Sequence, residues 1–226
     1  MGAVKREILR VRATRRQIRQ SYGALSRLYT VFEGALETGL RKRALELLCV
    51  QEGETVLEIG FGTGYSLAEI AKSVGEGGRA CGVDLTRQMV EMASKRLRKE
   101  GLADRAQLCQ ADAKDLPFGD STFDRVYMAA VLELFDTPEI PHVLSEVRRV
   151  LKPGGKLAVA SMSKEGHERS LFLRFYEWLH SRIPKYASCR PIYVEEAIKG
   201  AGFAVRAGEE FTVLRLFPMR IVMASL

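Results

Sequence analysis

The sequence predicts an α/β fold built on a doubly wound parallel sheet. Three observations carry this. From residue 55 onward, short apolar runs alternate with segments of helical period through five units. The first run ends in a glycine-rich turn, Gly60–Gly64, that opens a helix. Acidic or small residues stand at the carboxyl ends of the first four runs, where ligands of such sheets bind.

At the N-terminus, residues 1–20 carry Lys5, Arg6, Arg10, Arg12, Arg15, Arg16 and Arg19 against the single acid Glu7. Six of the chain's seven net positive charges therefore sit there. Val4, Ile8, Val11 and Ile18 recur at helical spacing, which predicts a basic amphipathic helix. Two readings stand side by side: a solvated tail, or a helix lying on an anionic membrane surface. Nucleic acid is disfavoured as a partner, because no recognition motif follows. Residues 21–50 read as further helix, with Tyr22, Leu25, Leu28, Tyr29 and Phe32 at three- and four-residue steps.

The stretch VLEIGFGTG, Val56–Gly64, reads as a buried strand entering a tight loop, with a helix over Tyr65–Val74. Glycine permits positive φ and close approach to a ligand, and the helix N-terminus presents free N–H groups. The second run, Ala80–Val83, ends at Asp84, a position suited to accepting hydrogen bonds from a ribose diol. Helix capping is the alternative there, and Thr86 suits that task as well. A helix follows over Arg87–Lys99. The third run, Ala106–Ala111, ends at Asp112-Ala113. The fourth opens at Phe123-Asp124, a helix follows near Ile140–Leu151, and Lys152-Pro153-Gly154-Gly155 precedes a fifth strand over Lys156–Ser161.

Length and composition agree with one domain over 21–226: 226 residues, 46% hydrophobic, ample for one core. Cys49, Cys81, Cys109 and Cys189 are scattered without a C-x-x-C pair, which predicts neither a zinc site nor a disulfide framework and suggests reduced thiols in a cytoplasmic protein. His142, His167 and His180 are likewise separated, so no metal is expected. There is no apolar run of about 18 residues and no secretory core at the N-terminus.

In order and spacing, VLEIGFGTG, GVDLTRQMVEMA, ADAKDLPF, FDRVYMAAVLELF and VRRVLKPGGKL resemble the class I S-adenosylmethionine-dependent methyltransferases. The likeness is strongest to the branch that holds the quinone-biosynthesis and bacterial phospholipid N-methyltransferases, and it covers about residues 20–160. It implies a Rossmann-like, seven-stranded sheet with the last strand antiparallel, supplied here by Ala204–Ala207 and Phe211–Ala224. It implies S-adenosylmethionine as cofactor and S-adenosylhomocysteine as product. Glu58, Gly60, Phe61, Gly62, Thr63 and Gly64 would surround the methionine moiety. Asp84 would hold the ribose, Leu85 and Met89 would line the adenine, and Asp112 and Ala113 would meet its edge. Ala129 and Ala130 would lie beside the methionyl portion. Two motifs depart from the pattern: Glu133 and Leu134 stand where many relatives carry two histidines, and the glycine-leucine-arginine-asparagine stretch of the quinone enzymes is absent.

The acceptor side is expected in Lys164–Ile198. Leu171, Phe172, Phe175, Tyr176, Trp178 and Leu179 make an aromatic-rich helical face, read either as core packing or as a lid over an apolar acceptor. Candidate acceptor contacts are Tyr29, Trp178, Arg190 and Tyr193, with Arg190 facing an anionic head group. Glu133 and Tyr22 are the candidate catalytic residues, Glu133 as a base or orienting group for an amine. The leading expectation is methyl transfer to an amphiphilic, phosphatidylethanolamine-like amine by a cytoplasmic enzyme, peripheral on the inner membrane face if residues 1–20 bind it. The alternatives are a quinone or soluble small-molecule acceptor, and a cofactor-binding module without turnover.

Overall fold

The computed structural model describes Ile8, Arg10 and residues 38–182, 189–214 and 216–226. Helix α1 (Thr38–Leu48) leads into strand β1 (Thr55–Ile59) and helix α2 (Tyr65–Ser73). Next come β2 (Arg79–Asp84), α3 (Arg87–Lys99), β3 (Ala106–Gln110), β4 (Phe123–Ala129) and α4 (Ile140–Val150). The chain ends with β5 (Leu151–Met162), α5 (Leu171–Arg182), α6 (Val194–Gly200), β6 (Ala204–Val213) and β7 (Phe217–Ser225).

These strands form one seven-stranded sheet in the order β3-β2-β1-β4-β5-β7-β6. Neighbours from β3 to β5 are parallel, and β7 runs antiparallel to both β5 and β6. The chain winds outward from β1 to β3, then jumps back so that β4 pairs β1 on its other side. That reversal is the switch point, and it opens a crevice beyond the carboxyl ends of β1 and β4.

Side chains alternate across the sheet as the two-residue period requires. Leu57, Ile59, Met128, Leu157 and Val159 face one layer, packed with Val143, Leu144 and Val147 of α4 and Ile198 of α6. Val56, Tyr127, Ala129, Ala158 and Ala160 face the other, against Leu40, Ala44 and Leu48 of α1, Leu67 and Ile70 of α2, and Ala93 of α3. Each fully buried aliphatic side chain contributes about 1.5–3 kcal/mol. The small residues Ala158 and Ala160 let α1 lie close to the sheet, and the Tyr127 hydroxyl donates to the Arg41 carbonyl at 3.4 Å.

Two boundaries differ from the sequence reading. Pairing of β4 with β5 already starts at Phe123 with Leu151, and then jumps so that Arg125 meets Lys156. The Lys152–Gly155 turn is thus an irregular excursion inside β5, with Gly154 at φ 76°. Strand β6 continues through Val213, so Phe211–Val213 belongs to it and β7 opens only at Phe217. The turn between them carries Leu214 at φ 53° and has no glycine, which removed the usual signal for its position.

Candidate active site

A cavity lies at the carboxyl edge of β1, β2 and β4, enclosing about 990 Å³ with its open mouth included. Its floor is the turn after β1. Gly60 and Gly62 line it with φ 72° and 52°. At Gly60 an added Cβ would sit 2.3 Å from Val131 Cγ2, so the turn and the segment after β4 touch backbone to side chain. Gly64 lies outside the lining. It packs against Ala93 of α3, where a Cβ would come within 2.7 Å of the Ala93 Cβ. Phe61 is buried in the core below Gly82, and Glu58 and Thr63 are buried as well. Glu58, in β1, and Phe61, Thr63 and Gly64, in the turn, lie outside the cavity wall.

Asp84, at the end of β2, is tied into this floor. Its Oδ2 accepts the Gly62 N–H at 3.1 Å, and its Oδ1 accepts both the N–H and the hydroxyl of Thr86 at 2.9 Å. The Thr86 side chain gives no capping bond to α3. Its hydroxyl is committed to Asp84. Burial pushes the Asp84 carboxyl above the usual carboxylate range, against the lowering effect of its hydrogen bonds from Thr86 and Gly62. Asp84 thus faces the cavity as an oriented acceptor.

Leu85, Met89, Asp112 and Ala113 form the next wall. Asp112 Oδ1 accepts the Lys114 N–H at 3.1 Å, which fixes the turn after β3. Ala129 and Ala130 close the cavity from β4. Ala130 is left-handed at φ 56°, and its N–H is held by the Ala160 carbonyl at 2.8 Å. A non-glycine residue in that region stores strain, here at the site itself. Of the thirteen residues assigned to the cofactor from sequence, nine line this cavity: Gly60, Gly62, Asp84, Leu85, Met89, Asp112, Ala113, Ala129 and Ala130.

The remaining wall is built by residues outside the thirteen assigned to the cofactor from sequence. Arg41 reaches it from α1, and Val131, Leu134, Phe135 and Glu139 come from the segment after β4. The Glu139 carboxylate is paired with Lys114 and accepts the Asp136 N–H at 3.2 Å. The apolar pattern VLELF was the only available hint. On the outer side of this segment Arg10 holds the Asp136 carboxylate through Nε at 2.9 and 2.8 Å, and Ile8 packs against the neighbouring core. The remainder of the basic segment, and with it Tyr22 and Tyr29, lies outside the described residues.

Glu133 and Arg190 are brought close together, but neither lines the cavity. Glu133 is buried and accepts the Ser161 hydroxyl at 2.6 Å and the Met162 N–H at 3.3 Å. Arg190 is fully buried and donates through Nη2 to the Phe135 carbonyl at 2.6 Å. Burial lowers the Arg190 pKa to about 10, while the nearby Asp136 and Glu133 charges favour its cation. Both therefore brace the Val131–Phe135 wall from behind. Tyr193 is buried next to α6, and Trp178 is 52% exposed on α5, away from the cavity. The Lys164–Ile198 stretch leaves and rejoins the sheet at one point: the Ile192 N–H donates to the Met162 carbonyl and the Lys164 N–H to the Ile192 carbonyl, both at 3.0 Å. Among the described residues no cluster of three metal-ligating side chains occurs, and no helix is long and apolar enough to cross a membrane.

The donor set fits S-adenosylmethionine. Asp84 offers acceptors for a diol, Asp112 an acceptor beside the apolar Leu85, Met89 and Ala113, and the glycine turn a backbone approach that a Cβ at Gly60 would obstruct. Residues 56–155 match the model of a family described as a methyltransferase domain. Demethylmenaquinone methyltransferase of Lactobacillus johnsonii is 36% identical over 128 residues, 57% of this chain and 52% of that protein. The ubiquinone/menaquinone biosynthesis C-methyltransferase UbiE of Teredinibacter turnerae is 35% identical over 147 residues, 65% of this chain and 57% of that protein. The chain thus spans about half the length of the curated relatives it matches. Among solved structures, a SAM-dependent methyltransferase from Aquifex aeolicus aligns with TM-score 0.61 and 25% identity, over 82% of this chain and 88% of that one. The [4+2]-cyclase SpnF aligns with TM-score 0.75 and 19% identity over 98% of both chains, a likeness of fold alone. In its glycine turn, its strand-end acids, its sheet order and its sequence relatives, the chain is similar to the class I S-adenosylmethionine-dependent methyltransferases, and residues 56–155 carry the methyltransferase domain.

Proposed function

We propose that this protein transfers the methyl group of S-adenosylmethionine to an apolar, quinone-type acceptor in its reduced, hydroxylated form. One observation carries the reading: a single cavity joins the polar, cofactor-type end at Gly60, Gly62, Asp84 and Asp112 to an apolar wall at Val131, Leu134 and Phe135. Such a wall suits a flat hydrophobic ring better than a charged head group. The names of the relatives in quinone biosynthesis support the same class of acceptor. The phosphatidylethanolamine-like amine has no such support, and Arg190, the residue expected to meet its phosphate, is buried behind Phe135.

Bound S-adenosylmethionine supplies an activated methyl group on a sulfonium. The chain's own part is alignment. Asp84, Asp112 and the glycine turn hold one partner, and the apolar wall orients the other. Proximity and orientation of this kind supply about 7–11 kcal/mol of a barrier when the reacting atoms are well aligned.

The fold does not by itself fix the reaction, since a [4+2]-cyclase shares it. The test is therefore chemical. The full chain is incubated with methyl-labelled S-adenosylmethionine and, separately, a demethylated naphthoquinol in detergent, a water-soluble catechol and phosphatidylethanolamine vesicles. Label on the naphthoquinol, found by chromatography and mass spectrometry, is the expected result. Label on phosphatidylethanolamine alone would overturn the acceptor class. Cofactor binding without transfer to any of the three would favour a module without turnover.

A further inference from the structure

Among the described residues six large apolar side chains stand well exposed, and five of them fall in two segments. Leu171, Phe175 and Trp178 are 79%, 58% and 52% exposed on α5, and Leu214 and Leu216 are 52% and 54% exposed in the β6–β7 turn. The α5 residues recur at four- and three-residue steps, so they form one stripe. Phe175 and Trp178 stack with ring centroids 5.8 Å apart. The opposite rows of the helix bury Leu173 and set Phe172 and Tyr176 edge-on against Phe217, at 5.0 and 5.6 Å. Phe217 directly follows Leu216, so the turn and the helix are adjoining parts of one surface. A folded chain leaves such a patch apolar at a cost in solubility, and an interaction usually explains it.

The surroundings name the partner. Arg169, Arg174 and Arg182 are exposed beside the stripe, with no ion pair among the described residues. The acid on the same helix, Glu177, is withdrawn into a half-buried pair with Lys164 at 2.6 Å. An apolar stripe with tryptophan, edged by these three exposed arginines, complements an anionic lipid surface. The patch also faces the right way. Helix α5 follows the carboxyl end of β5, and the β6–β7 turn lies at that same end, where Met162 pairs Met219. This is the rim on which the cavity opens.

We infer that this surface seats the protein on an anionic bilayer, with Leu171, Phe175, Trp178, Leu214 and Leu216 at the boundary of head groups and acyl chains. The inference goes beyond the reaction, because it holds whichever acceptor is methylated. It is also distinct from attachment through residues 1–20.

Trp178 is the chain's one tryptophan, so its fluorescence reads this patch directly, without turnover. The full chain is titrated with vesicles of equal phosphatidylglycerol and phosphatidylcholine, plain or with brominated acyl chains. The expected result is a blue shift on binding and quenching by the bromines. Pure phosphatidylcholine, or a rise in salt from about 50 to 500 mM, should weaken binding at least about tenfold. Phe175→Glu, a substitution at an exposed position, should do the same with an unchanged melting temperature. Three results would overturn the inference. Emission unaffected by anionic vesicles is one. Sedimentation with vesicles while Trp178 stays unquenched is another, and it would place the contact elsewhere, in residues 1–20. The third is a blue shift that follows protein concentration without lipid and accompanies a doubled mass in light scattering, which would assign the patch to a second copy of the chain.

Discussion

Replacing Gly60 by alanine perturbs the site where the structure is least forgiving. Two costs add. The residue sits at φ 72°, where an L side chain costs about 1–2 kcal/mol. Its new Cβ would also lie 2.3 Å from Val131 Cγ2, 3.1 Å from Cγ1 and 3.3 Å from Cβ. Comfortable carbon–carbon contacts lie near 3.5–4.0 Å, so the overlap exceeds about 1 Å. Val131 is β-branched and stiff about χ1, so no rotation removes all three contacts. Overpacking of this kind costs about 1–3 kcal/mol, and the sum is about 2–5 kcal/mol. Gly53 provides the control. It has φ 84°, and an added Cβ there meets nothing within 4 Å, so Gly53→Ala should cost only the backbone part. Urea unfolding followed by circular dichroism would give both values. A Val131→Ala background should return about 1–3 kcal/mol to Gly60→Ala as an interaction energy. Titration with S-adenosylhomocysteine should also show weakened binding, since both residues line the cavity. Gly60→Ala no costlier than Gly53→Ala, or no compensation by Val131→Ala, would mean that the Val131 contact does not constrain this turn.

Gly62→Val, at φ 52°, should abolish cofactor binding in calorimetry while circular dichroism still reports a folded sheet; retained affinity would remove the glycine turn from the ligand's path. Glu133→Ala should lower stability by about 3 kcal/mol, from the lost bonds to Ser161 and Met162 and a less compensated Arg190, and leave the pH profile of transfer unmoved; a shifted profile at unchanged stability would make Glu133 a base instead. Cofactor affinity should depend on pH through Asp84. The carboxylate must be ionised to accept hydroxyl donors, and burial raises its pKa. Affinity is then full above that raised value and lost as pH falls through it, at higher pH than for an ordinary aspartate near 4. For folding of the ligand-free chain the sign is opposite: the raised pKa favours the folded form at low pH, and that contribution is lost as pH rises through it. Calorimetry across pH 4–8 with a flat affinity would contradict this assignment.

The legible parts of this fold are the local ones. Gly60, Gly62, Asp84 and Asp112 could be placed because each ends a short apolar run, and the ends of parallel strands share one edge. What escaped depends on distant contacts. Arg41 reaches the cavity because α1 packs over small residues of β5, a relation no local pattern encodes. Ala130 gives no sign of its left-handed φ, found where its N–H bonds the Ala160 carbonyl 30 residues onward. The sequence offers Glu133 as a base or orienting group, yet Ser161 and Met162, 28 and 29 residues onward, draw it inside and away from the cavity lining. The aromatic face of α5 was seen, but which half of it is covered depends on Phe217, far along the chain.

Calorimetric titration of the full chain and of Asp84→Ala with S-adenosylhomocysteine asks whether the cavity at the β1, β2 and β4 ends is the S-adenosylmethionine site. One equivalent should bind per chain, with affinity lowered about 5- to 150-fold in the variant, the equivalent of about 1–3 kcal/mol for charge-assisted hydrogen bonds. Absence of binding heat in the native chain, or unchanged affinity in a folded Asp84→Ala protein, would contradict that assignment of the cavity.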